Sequence, residues 1–252
     1  MSWLMWSGKL SFAVLFAAPL LAQHTFTPGD IEEGGRSFRT LCVGCHGAEG
    51  NLVDGIDLGH GKFRHATTDE GLVDIILTGI PGTAMPPNAM PAALAGAIIG
   101  YLRSMASEGR SVVRGDAARG AAIYAAKGNC ASCHRVNGSG SRIGPDLSEI
   151  GRLRRVAELE RSVVDPNAEV LPQNRFYRVA TKSGETVTGR LLNGDTFTVQ
   201  LLDANEHMRS FRRSDLREAS FIDASTMPSY KDKLSGAELD DVVAYLASLK
   251  GL

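Results

Sequence analysis

The sequence has no long hydrophobic run, no excess of charge of either sign and no cysteine to spare. Its 252 residues carry 27 Lys/Arg against 28 Asp/Glu, so the basic surplus expected of a nucleic-acid binder is missing. The longest apolar run near the N-terminus, Leu10 to Ala22, has 13 residues. A bilayer-spanning helix needs about 20. The four cysteines all fall in two pentapeptides, Cys42-Val43-Gly44-Cys45-His46 and Cys130-Ala131-Ser132-Cys133-His134. None is left over for a disulfide framework, although exported chains commonly have one.

The remaining composition is ordinary for a globular chain: 43% of residues are hydrophobic, and the length suits two small domains. Lys9 closes a short N-terminal region ahead of the apolar run, and small residues follow towards Ala22. This order predicts a signal peptide over residues 1–22 and export to an oxidising compartment, the periplasm. The alternative is an uncleaved membrane anchor, because Trp3 to Trp6 adds hydrophobicity upstream.

Each pentapeptide is C-x-x-C-H, the attachment pattern of a c-type haem. Two thiols three positions apart can both add to the vinyl groups of one porphyrin, and the adjacent imidazole then faces the iron. A C-x-x-C pair alone would also suit a thioredoxin-like redox site or half of a zinc site. Neither explains a histidine directly after both copies, and 88 residues separate Cys42 from Cys130. The expected cofactors are therefore two covalently bound c-type haems, held by Cys42, Cys45 and His46 and by Cys130, Cys133 and His134.

The flanking segments divide into two comparable units. In the first, residues 27–108, Asp30 is the expected cap of a helix that carries Gly34, Gly35 and Phe38 into the motif. A loose glycine-rich loop follows, then a helix over 71–78 and the rigid segment Thr78-Gly-Ile-Pro-Gly-Thr-Ala-Met-Pro-Pro87. That segment offers Met85 as the sixth iron ligand, with Met90, His60 and His65 as alternatives. A helix over 92–107 closes the unit, and Met105 reads as one of its core residues. After a linker at 109–114, the second unit, residues 115–252, repeats the design. Gly120-x-x-x-Tyr124 echoes Gly34-x-x-x-Phe38, and the closing helix over 235–250 echoes the first. Its ligand candidate is Met227 in Ser225-Thr-Met-Pro-Ser229, with Met208 as the rival. His46 and Met85 are 39 residues apart, whereas His134 and Met227 are 93 apart. The excess lies at about 174–221, where strand-like alternation predicts a small antiparallel β meander with a hairpin turn at Asn193-Gly194.

Through CVGCHG and TGIPGTAMP the first unit resembles a class I cytochrome c domain of the dehydrogenase-associated kind. The second is similar to a haem-binding domain first described in Planctomycetes and Verrucomicrobia. The residues that carry this likeness are CASCH, Ile143-Gly-Pro-Asp-Leu147, Val164-Asp-Pro-Asn167, the Thr181-x-x-Gly184…Thr188-Gly189 hairpin, Ser225-Thr-Met-Pro228 and the closing helix. The resemblance implies a mainly α fold of two tandem cytochrome c-like helical domains, the second with the β insert. It also implies iron ligation by His46, Met85, His134 and Met227, and a hydrogen bond from His134 to the carbonyl of Pro145. The function it implies is one-electron transfer between exported redox partners, such as a periplasmic dehydrogenase or a respiratory chain. Alternatives are a cytochrome subunit docked through its β insert to a quinoprotein dehydrogenase, and a haem peroxidase. For the latter no distal acid–base pair is evident beyond His60 and His65. Charge divides unevenly, with five Lys/Arg against ten Asp/Glu in residues 24–109 and 21 against 18 in 110–252. Different partners at the two ends are compatible with that division.

A pyridine haemochrome assay on the purified protein should give two c-type haems per chain, with a weak Met–iron band in the absorption spectrum. A colourless, zinc-bearing protein would contradict the haem reading.

Overall fold

The structure is a computed structural model that describes residues 26–108 and 112–251. The expected signal peptide lies outside the described residues, as do residues 109–111 of the expected linker. The first domain contains α1 (Pro28–Leu41), α2 (Val43–His46), α3 (Asp69–Thr78) and α4 (Ala92–Glu108). The second contains α5 (Ala117–Ala125), a two-strand hairpin β1 (Arg135–Val136) and β2 (Ser139–Gly140), α6 (Ile150–Leu153) and α7 (Val156–Val164). A five-stranded sheet follows: β3 (Phe176–Thr181), β4 (Thr186–Gly194), β5 (Thr198–Asp203), β6 (Met208–Arg212) and β7 (Leu216–Phe221). The described chain closes with α8 (Gly236–Ser248). No helix among the described residues is long and apolar enough to cross a membrane.

The first helix begins earlier than expected. Thr27, not Asp30, is the N-cap; its hydroxyl accepts from the Asp30 backbone N–H, and the Asp30 carboxylate accepts from the Thr27 N–H. Pro28 explains the shift, since its ring pre-sets the first helical φ and it has no N–H to satisfy.

Both domains are built on one crossing of their first and last helices. A Cβ on Gly34 would lie 1.9 Å from the Ala97 carbonyl oxygen of α4, and one on Gly120 would lie 1.9 Å from the Asp241 carbonyl oxygen of α8. Only glycine allows backbones to approach this closely. One turn further on, Phe38 meets Tyr101 with ring centroids 5.7 Å apart, and Tyr124 meets Tyr245 at 5.3 Å. The second crossing has an added polar tie. The buried Asp241 carboxylate accepts from the Asp116 N–H and from two nitrogens of Arg119.

The sheet is antiparallel in the order β6-β5-β4-β3-β7 and has its own core of Tyr177, Val179, Val187, Val199 and Leu201. It departs from the expected meander in two places. Asn193 and Gly194 remain in β4, beyond a register shift after Leu191. The turn falls at Asp195–Phe197, where the Asp195 carboxylate accepts from the N–H groups of Phe197 and Thr198. This Asx-type turn offers the backbone more partners than Asn193-Gly194 does. The last strand, β7, crosses to the free side of β3. The chain's exit from the helical part and its return to it are tied together. Tyr230 N–H donates to Val163 O, and the Ser229 hydroxyl donates to Val164 O at 2.6 Å.

The domains meet through buried charge. The Glu158 carboxylate on α7 accepts from Arg39 Nη1 at 2.7 Å, from the Tyr101 hydroxyl at 3.0 Å and from the Arg155 N–H at 3.0 Å. Arg39 also donates to Glu169, whose other oxygen accepts from Arg154. Arg155, 4% exposed, donates to Glu108 and lies 3.5 Å from Glu49 in the loop after the first motif. Burial and the facing Glu158 carboxylate raise the Tyr101 phenol above its ordinary range, so it stays a donor. The short α6 is a shared wall: Ile150 packs in the second domain's core and Leu153 against the first's.

Truncating one partner of a buried ion pair strands the other charge. Glu158→Ala should therefore cost about 3–5 kcal/mol in denaturant unfolding. Glu32→Ala removes an exposed i,i+4 pair with Arg36 and should cost no more than about 0.5 kcal/mol.

Candidate haem sites

The two C-x-x-C-H motifs sit in separate cores. Among the described residues no group of three or more His, Cys, Asp or Glu is gathered to hold a metal ion, so the four thiols do not form a pooled zinc site. Each motif starts where the first helix of its domain delivers it. Cys42 caps the C-terminus of α1, and its N–H donates to Phe38 O. After α5 the chain turns through Asn129, in the left-handed conformation, into a short 3-10 turn at Cys130–Ser132.

The second site is a cavity of about 470 Å³ whose lining includes Cys130, Cys133, His134, Pro145 and Met227. The candidate ligands His134 and Met227, 93 residues apart in sequence, thus line one cavity. His134 Nδ1 lies 2.9 Å from the Pro145 carbonyl oxygen. A carbonyl can only accept, so Nδ1 carries the proton and Nε2 keeps its lone pair free for a metal. Burial lowers the His134 pKa, partly offset by that hydrogen bond, and keeps the ring neutral. The loop presenting Pro145 lies so close to the motif that a Cβ on Gly144 would sit 3.0 Å from the ring and 2.9 Å from Cys133 O. Met227 is placed by Ser225, whose hydroxyl accepts from the Met227 N–H and whose own N–H donates to Asn167. Tyr230, near the end of the same segment, donates from its hydroxyl to Gly128 O just before the motif. The rival, Met208, is 66% exposed on the edge strand β6 and does not line the cavity.

The first site is arranged differently. Val43 is buried in the domain core, Cys42 is half-buried and Cys45 is exposed. Burial, with a smaller contribution from Cys45, pushes the Cys42 thiol up to about 11 from its ordinary 9.0. Burial also lowers the His46 pKa. Nδ1 of His46 is buried with no hydrogen-bond partner, unlike its counterpart in the second domain. The following loop is ordered rather than loose. Leu58 N–H donates to Gly50 O, and Gly59 lies under Glu49 O and the Met105 methyl. Met105 itself is fully buried in the core. His60 and His65 are exposed, and His60 Nδ1 is 2.7 Å from Asp57.

Met85 is half-buried on a loop tied back on itself. Ile80 N–H donates to Met85 O, Met85 N–H to the Thr83 hydroxyl, and the Asn88 amide to Ile76 O and Pro86 O. Gly79, at φ +71°, is what lets the loop close: a Cβ there would lie 2.7 Å from Met85 O. Met90 packs against the domain core instead. A second cavity, of about 510 Å³, is lined by Phe26, Val73, Leu77 and Ile99 and by none of Cys42, Cys45, His46 or Met85.

Nothing local in the sequence marks α6 or α7, both of which contribute residues to the wall of the second site's cavity, or Glu158 at the domain boundary. The [ST]-x-x-[DE] pattern gives no sign of α7, because its cap position holds Arg155.

Paired thiols, a neutral buried imidazole and a thioether in one cavity suit a porphyrin iron attached through sulfur. The fold and donor set define a haem-attachment protein of the c type, and the comparisons carry this further. Residues 29–102 match the family model for cytochrome C oxidase, cbb3-type, subunit III, and residues 117–191 match the model for cytochrome c. The chain therefore carries two cytochrome c domains and is a c-type cytochrome, with covalently bound c-type haem as the cofactor such domains imply. Among solved structures it is similar to a chain of a reducing HAO-like protein complex from Kuenenia stuttgartiensis. That match has 21% identity and a TM-score of 0.26, over 86% of this chain and 96% of that one. No curated protein matches the chain.

Gly79 and Gly82 both hold left-handed conformations, but only Gly79 is crowded; nothing lies within 4 Å of a Cβ on Gly82. Both alanine variants incur backbone strain, and Gly79→Ala should cost a further ~1–3 kcal/mol for the collision. Denaturant midpoints of the two variants measure the difference, and equal midpoints would contradict the loop geometry.

Proposed function

We propose that the protein carries two c-type haems, one in each domain, and relays single electrons between exported redox proteins. Cys42, Cys45, His46 and Met85 would hold one haem, and Cys130, Cys133, His134 and Met227 the other. The observation that carries this reading is the single cavity lined by both cysteines of the second motif, His134 and Met227. When bound, haem iron supplies reversible one-electron chemistry, and Met/His ligation raises its potential.

The chain's own contribution is to hold and tune. Burial keeps His134 neutral and Pro145 orients it, and Ser225 and Asn167 fix the backbone that presents Met227. With a histidine and a methionine assigned to each iron, no open coordination site would remain, which favours relay over peroxide reduction. The periplasm as location and the signal peptide over residues 1–22 belong to the same proposal. So does a dehydrogenase or respiratory chain as the partner system, engaged by transient charge-steered docking.

Redox titration of Met85→Ala and Met227→Ala tests the ligand assignment. Each substitution should lower the potential of one haem and leave the other in place. A high-spin haem together with peroxidase activity in the unmodified protein would overturn the relay reading.

A further inference from the structure

The β-sheet module has no obvious place in a cytochrome c fold, yet one of its turns touches the second site's supporting loop. That turn joins β5 to β6 and is built rigidly. Asp203 accepts through its carboxylate from the N–H groups of Asn205 and His207, and Glu206 N–H donates to Asp203 O. Glu206 sits at φ +60°, a left-handed conformation uncommon for a residue with a Cβ. Its carboxylate reaches out of the module. One oxygen accepts from the Arg142 backbone N–H at 3.1 Å and the other from Arg142 Nε at 3.0 Å. Arg190 of β4 adds a bond to Arg142 O. Hydrogen bonds from Ser141 and from Arg142 hold the Glu206 carboxyl down at about 2, against an ordinary 4.5.

Ser141 and Arg142 lead directly into Ile143-Gly144-Pro145. On the inner side this loop is anchored by Ser141 N–H to Ala131 O and by Gly144 N–H to Cys133 O. Between those anchors it is held from outside by Glu206 and Arg190. The loop ends at the carbonyl that accepts from His134 Nδ1.

We infer that the β module serves the second haem site from within the same chain: Glu206 is a positioning residue that braces the 141–145 loop, and through it the Pro145–His134 hydrogen bond. This rests on His134 being an iron ligand. A hydrogen bond from Nδ1 makes the imidazole a stronger donor and favours the ferric state. Loosening the brace weakens that bond, so the potential of the second haem rises while that of the first stays fixed.

The test is redox titration of the full haem-loaded protein carrying Glu206→Gly or Arg142→Ala. Glycine suits the left-handed position, so the first variant keeps the turn. The two variants also separate positioning from simple charge. Through-space electrostatics alone would raise the potential when the Glu206 carboxylate is removed and lower it when the Arg142 guanidinium is removed. Positioning predicts an upward shift of the second haem in both, with the first haem unmoved. Opposite signs in the two variants, or no shift in either, would overturn the inference. A protein lacking two titrating haems would instead defeat the reading on which the inference rests.

Discussion

Everything in this molecule depends on a contact that only glycine permits, the near-touching of the first and last helices of each domain. At Gly34 and again at Gly120 the backbone of one helix rests on a carbonyl of the other. The crossing fixes where α1 and α5 end, and therefore where each C-x-x-C-H begins. An aromatic residue four positions after each glycine meets a tyrosine four positions after the contacted carbonyl. Distance and register are thus set together, the first by the missing Cβ and the second by the ring pair. A Cβ on Gly115 would also strike Asp240, so the second domain uses the same device twice along α8.

The two domains differ in how their polar groups are used. Tyr245 packs edge-on to Tyr124, whose hydroxyl lies 3.3 Å from His134 O within the same domain. Tyr101, at the matching place in the first domain, sends its hydroxyl to Glu158 of the second. Buried ion pairs such as Arg39–Glu158 and Arg39–Glu169 contribute little net stability compared with well-packed apolar groups. What they supply here is registration, because each charge has its partners in one arrangement of the domains only. With α6 reaching from one core into the other, the two motifs keep a fixed relation to each other.

Much of this was legible in the sequence, and the reasons differ from element to element. The long helices announce themselves through apolar spacing and through caps such as Thr68 and Ser235. Strand β3 stands out because it is paired on both sides and largely buried, so Phe176, Tyr177, Val179 and Ala180 crowd into one short run. By contrast, β7 reads as polar because an edge strand exposes most of its length. The Asn193-Gly194 signal failed because Asp195 offers its carboxylate to two backbone N–H groups just beyond it. Asp30 is part of the cap, but Pro28 moves the start to Thr27. The charges between domains could not be read, since an arginine and a glutamate 119 positions apart carry no local pattern. Met227 and His134 lie almost as far apart, yet the strand-like insert between them pointed to the excess.

The histidines show how two domains of similar plan come to surround their motifs differently. The segment after the second motif turns back through Gly140, Gly144 and Pro145, and each glycine stands where a side chain would strike the motif's own backbone or ring. That return gives His134 an acceptor. The segment after the first motif contains more glycines, Gly47 to Gly61 counting five, but they serve a different closure. Gly50 and Gly59 pack the loop onto itself and onto Met105, and the loop's polar contact across the domain boundary is Glu49 with Arg155. A loop committed to the domain interface does not also supply an acceptor to His46 Nδ1, which is left buried without one. The two imidazoles therefore differ in what the following loop is turned towards: in the second domain its own histidine, in the first the neighbouring domain.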